Sequence, residues 1–93
     1  ILEVVRKDST NIYGQFMLGY GGIMTGQYDK AIERLNTVVK MEPDNVEAIF
    51  LLSEAYERHG ENAKAAGWYE AGKKFVQNPD AIQAIDKRIK ELK

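Results

Sequence analysis

Apolar residues recur along most of this chain at intervals of three and four, the spacing of one helical face. Ile12, Phe16, Leu18, Gly19 and Ile23 keep that spacing from Ile12 to Thr25, with Tyr13, Met17, Tyr20 and Met24 also apolar or aromatic. From about Gln27 to Met41 the face is Tyr28, Ala31, Ile32, Leu35, Val38 and Val39. From Val46 to His59 it is Ala48, Ile49, Leu52, Ala55 and Tyr56. Ala65, Ala66, Trp68, Tyr69, Gly72 and Phe75 carry it on to about Val76. A last helix has Ile82, Ile85, Ile89 and Leu92 on one side and Gln83, Asp86, Lys87, Lys90, Glu91 and Lys93 on the other. One apolar stripe and one wet face suit the terminal cap of a stacked array. The opening Ile1–Lys7 has Ile1, Val4 and Val5 on one face and reads as the last two turns of a helix. Its β-branched residues also favour a short strand.

Breaks fall between these stretches. Asp8-Ser9-Thr10-Asn11 is a turn cluster with several residues able to cap a following helix. Gly26 and Gly60 are natural turn residues, and Pro43 ends a helix ahead of a cap at Asp44-Asn45. Asn62 can cap the fourth stretch, and Asn78-Pro79-Asp80 restarts the chain. Gly14, Gly19, Gly21 and Gly22 each cost about 1 kcal/mol against Ala inside a helix. The helix is nevertheless expected to stay whole, because a glycine permits close helix contact where a larger residue would clash.

Shifted by about 34 residues, the length of a two-helix solenoid unit, the chain matches itself: Leu18 falls on Leu52, Gly26 on Gly60, Ala31 on Ala65 and Leu35 on Tyr69. Ile1 and Val4 fall one such period before Leu35 and Val38. Against the pattern W-x2-L-G-x2-Y, A-x3-F, P, the first copy reads Gln15, Leu18, Gly19, Gly22, Ala31, Leu35, Pro43. The second reads Ile49, Leu52, Ser53, Tyr56, Ala65, Tyr69, with Pro79 about two residues late. On these residues the chain resembles the tetratricopeptide repeat family over nearly its whole length. It departs at Gln15 for the aromatic, Gly22 for Tyr and Ser53 for Gly.

The resemblance implies an all-α superhelical stack of antiparallel helix pairs. Residues 1–10 would end a preceding repeat's helix, 11–44 and 45–78 would be repeats, and 79–93 would be a capping helix. Close approach within a pair would rest on Gly19 with Ala31, and on Ser53 with Ala65. The first helix of each pair would line a concave groove for a peptide or a partner's helix. By resemblance the groove positions are Tyr13, Phe16, Tyr20, Ile23 and Met24, then Glu47, Phe50, Glu54, Glu57 and Arg58. The basic and Asn side chains that clamp a terminal carboxylate in some members are missing, with Phe16, Tyr20 and Glu54 at the matching sites. An apolar segment with a basic flank is the better expected ligand. The function so implied is a protein-interaction or scaffold module without catalysis. The competing readings are spacer repeats, covered by further repeats or by self-association as a homodimer, and the non-catalytic part of an enzyme.

Composition adds mainly exclusions. Thirteen Lys and Arg against 14 Asp and Glu give a formal charge of -1, which is no footprint for nucleic acid or an anionic membrane. With no cysteine there is no disulfide or thiol chemistry, and either the cytoplasm or the periplasm remains open as the compartment. No run of about 18 apolar residues is present, so no membrane contact is expected. "GYGGIMTG" has neither the lysine nor the spacing of a phosphate loop, so its glycines are read as structural. His59 is the single histidine; with Glu54, Glu57 and Glu61 in sequence range it is weak metal evidence, and no metal or cofactor is expected. Ser9, Ser53, Thr10, Thr25 and Thr37 have no His and Asp partners in a nucleophilic arrangement. Glu54 and Glu57 have no sugar cleft to make a glycosidase pair of them.

Overall fold

The protein was described from a computed structural model, covering residues 2–93, with side chains from Ile12 onward. Five helices follow one another: α1 Leu2–Met24, α2 Tyr28–Met41, α3 Val46–Arg58, α4 Asn62–Lys73 and α5 Pro79–Leu92. Their order in the chain is also their order in space. α1 packs on α2 and α3 on α4 as hairpins, α2 packs on α3 and α4 on α5, and α1 touches α3 along one side. The result is an elongated helical stack of 46 × 29 × 17 Å.

The two hairpin turns are built from the same bonds, one repeat period apart. Gly26 has φ 80° and Gly60 φ 88°, a conformation in which a Cβ would be strained. Gln27 N donates to Gly22 O at 2.7 Å, and Glu61 N to Tyr56 O at 2.9 Å. Gly26 N donates to Ile23 O, and Gly60 N to Glu57 O. Carbonyls left over at each helix end are thus taken up by amides one turn further on.

Asn45 caps α3 by accepting from Ala48 N at 3.0 Å, and its own amide donates to Glu42 Oε1. Asn78 caps α5, accepting from Asp80 N and Ala81 N, with Pro79 in the first turn where no amide is needed. Asn62 does not cap α4: Glu61 holds that position without a side-chain bond. α4 also stops at Lys73, short of Val76, with Lys74 N donating to Gly72 O.

α1 departs further from the expected breaks. Its backbone is helical through Asp8–Asn11, so no turn forms there in this structure. Residues 2–13 hold neither Gly nor Pro, and Asp, Ser, Thr and Asn each disfavour a helix by only a few tenths of a kcal/mol, roughly. The face read for Ile1, Val4 and Val5 lies outside the described side chains.

The core joins the two hairpins through Ile23, Ala31, Leu35 and Val38 on one side and Ala48, Leu52 and Ala55 on the other. In the first hairpin Gly19 lies against Leu35, and Ala31 lies against Gly22. A Cβ on Gly19 would stand 2.6 Å from Leu35 Cγ, and one on Gly22 would stand 3.0 Å from Ala31 Cβ. At Gly22, where the second copy has Tyr56, a Cβ would thus crowd Ala31 and the Gln27 carbonyl. In the second hairpin the tight glycine is Gly72, whose Cβ would meet the Phe50 ring at 2.9 Å. Ser53 is fully buried, its hydroxyl donating to Ile49 O at 2.8 Å.

Candidate functional site

Five of the seven large apolar side chains left exposed among the described residues belong to α1: Tyr13, Met17, Leu18, Tyr20 and Met24. Helical spacing puts Tyr13, Met17, Tyr20 and Met24 on one face, at i, i+4, i+7 and i+11. Beside that face runs the start of α3. Between the two helices lies an open cleft of about 450 Å³. Phe16, Met17 and Tyr20 line it from α1, and Val46, Glu47, Phe50, Leu51 and Glu54 from α3. A second depression continues it past Phe16 and Glu47 to Ile12, Tyr13, Glu42 and Asn45.

The floor of the cleft is held from behind. Phe50 lies against Gly72 of α4, with the Tyr69 ring centroid 6.2 Å away. A larger residue at 72 would push Phe50 into the cleft. The charged rim is acidic. Glu54 accepts from Arg58 Nε at 2.8 Å, one turn along α3. Hydrogen bonds to Tyr28 and then to Glu54 raise the already high pKa of Arg58. Glu47 has no ion-pair partner among the described residues, and it sits in the first turn of α3, where the helix dipole favours its charge. The cleft is thus an apolar trough with an acidic lip.

Not every expected position reaches this cleft. Ile23 is 5% exposed and belongs to the core, because it faces α2 together with Gly19 and Gly22. Glu57 turns the other way: it accepts from the Tyr69 hydroxyl at 3.1 Å and pairs with Arg88 of α5 at 3.2 Å. Burial, and then the Glu57 carboxylate, push the Tyr69 phenol up to about 12. Glu57 thus fastens α3 to α4 and α5. Met24 is exposed past the end of the cleft, and Arg58 serves it only through Glu54.

Met17, Val46 and Leu51 line the cleft without having been singled out. Their signal was in the helical spacing: Met17 is four after Tyr13, and Leu51 is four after Glu47. Among the repeat positions, Leu18 departs from its counterpart. Leu52 is fully buried, whereas Leu18 is 56% exposed, since α2 covers Leu52 and nothing among the described residues covers Leu18.

No three His, Asp or Glu side chains stand close enough to hold a metal ion among the described residues. His59 bonds Glu61 at 3.1 Å at the end of α3. No helix among the described residues is long and apolar enough to cross a membrane.

A family model described as the tetratricopeptide repeat matches residues 25–82. The human protein named tetratricopeptide repeat protein 13 is 33% identical over 90 residues, which is 92% of this chain and 10% of that protein. The chain therefore spans about a tenth of that relative's length.

Proposed function

Because this chain belongs to the tetratricopeptide repeat family, whose units generally mediate protein–protein interaction, we propose that it binds an apolar segment of a partner protein between α1 and α3. The observation that carries this reading is the unfilled cleft with Phe16, Met17, Tyr20, Phe50 and Leu51 on its walls and Glu47 and Glu54 on its rim. The partner segment seats one or two aliphatic or aromatic side chains there and sets a Lys or Arg beside Glu47. Aromatic anchors of this kind dominate binding energy when they become fully desolvated. No group of this site has a catalytic task; its part is recognition and assembly.

The test is a displayed library of helical and extended peptides panned against the chain. Ligands should share apolar residues with an adjacent Lys or Arg. Tyr20→Ala should weaken them by at least tenfold, about 1.4 kcal/mol. Glu47→Gln should weaken chiefly those that carry the cation. Tyr20 is a better probe than Phe50, which also packs behind the cleft on Gly72. Peptides that bind Tyr20→Ala and the parent chain alike would remove the cleft from consideration.

A further inference from the structure

One wall of the cleft is set by a helix that does not line it. The Phe50 ring reaches from α3 onto α4, where a Cβ on Gly72 would stand 2.9 Å from both Cε1 and Cζ, the far end of the ring. The backbone does not ask for glycine there: among the described residues only Gly26 and Gly60 have positive φ. What Gly72 supplies is space. The internal repeat marks the same position. One period earlier Phe50 corresponds to Phe16, and Gly72 to Val38. Both copies therefore put a Phe on the cleft, with an aliphatic side chain at the matching place in one and none in the other.

The other surroundings of Phe50 are fixed. Ile49 Cγ2 would lie 3.0 Å from the same Cβ, and Ile49 is 2% exposed, so it has no free space to yield into. The Tyr69 ring lies 6.2 Å from that of Phe50, centroid to centroid. Its hydroxyl donates to Glu57, which Arg88 of α5 holds in turn at 3.2 Å. The free side of the Phe50 ring is the open cleft of about 450 Å³. A side chain at 72 is therefore accommodated by the ring tip swinging toward α1, which leaves the backbone in place.

We infer that Gly72 selects the size of the side chain that the α1–α3 cleft accepts. By letting Phe50 lie back on α4, it keeps the cleft wide enough for an aromatic or large aliphatic residue of the partner. This rests on the cleft being the binding site, as proposed above. Gly72 itself meets no ligand; it is a positioning residue that acts through Phe50. A single methylene in an apolar pocket changes binding by roughly tenfold or more, so one methyl behind the ring is enough to be read.

The displayed peptide library is panned in parallel against the parent chain, Gly72→Ala and the double variant Gly72→Ala with Phe50→Leu. The parent should enrich Phe, Trp and Leu at the anchoring position. Gly72→Ala should enrich Val and Ala there, and hold the parent's peptides about tenfold more weakly. Leu lacks the far end of the ring, so the double variant should take large side chains again, a recovery that a merely destabilised chain would not show. Proton NOEs should connect the Phe50 ring to residue 72 in the parent, and to the Met17 methyl in Gly72→Ala. A parent chain that recovers no peptide overturns the proposed function and this inference together. A Gly72→Ala chain that still enriches the large side chains, or whose Phe50 ring stays on residue 72, overturns this inference alone. So does a loss of binding that ignores side-chain size or that Phe50→Leu does not repair.

Discussion

A glycine-to-alanine scan of α1 gives the sharpest test of how its faces are used. Gly→Ala inside a helix is worth about 1 kcal/mol in the helix's favour, because the chain loses less freedom on folding. Gly21→Ala should gain most of this, since its new methyl meets nothing within 4 Å. Gly19→Ala carries the same gain and an opposing cost. Its methyl would lie 2.6 Å from Leu35 Cγ and 2.9 Å from Cδ2, and Leu35 is fully buried and cannot turn aside freely. Overpacking of that kind costs roughly 1–3 kcal/mol. The two variants should then differ by about 1–3 kcal/mol, with Gly21→Ala the more stable. At about 2.1 cal/mol/K per residue, a chain of 93 residues loses roughly 5 °C of melting temperature for each kcal/mol. Thermal melts followed by dichroism at the helix band should therefore separate the pair by about 5–15 °C. Equal melting temperatures, or Gly19→Ala melting higher, would refute the packing of α1 on Leu35.

Three other outcomes follow from named contacts. Asn45→Ala should cost about 1 kcal/mol in denaturant unfolding, because Ala48 N loses its cap. Ile89, 5% exposed, is the buried anchor of α5, so Ile89→Ala should cost about 2–4 kcal/mol and speed proteolysis after α4. The phenol of Tyr69 is raised from 10.0 to about 12, first by burial and then by Glu57. The folded state holds that proton more tightly than the unfolded chain. The contribution is therefore complete below pH 10 and disappears as the pH rises from about 10 to about 12. Unfolding free energies measured across that window should fall less steeply for Tyr69→Phe than for the parent chain. Parallel slopes would contradict the placement of Tyr69 against Glu57.

Much of the architecture could be read from residue order because its causes are local. A left-handed glycine, two short-range backbone bonds and an amphipathic run on either side make a hairpin wherever they occur. Gly26 and Gly60 therefore marked equivalent bends from their place in the pattern alone. The Asn78 cap is local in the same way. Asn62 misled, since Glu61 holds the cap position of α4 and makes no side-chain bond there.

Burial is another matter, because it depends on which helix arrives from elsewhere in the chain. Leu18 and Leu52 share a register and a residue type, yet one is exposed and the other sealed, according to whether a helix lies over it. The resemblance put Ile23 in the groove, but α2 claims that side of α1. Glu57 is drawn out of the groove by Tyr69 of α4 and Arg88 of α5, partners that no reading of α3 by itself could supply. Local chemistry thus set the helices, their turns and their period. Only the packing of one hairpin on the next decided which apolar faces became core and which stayed open.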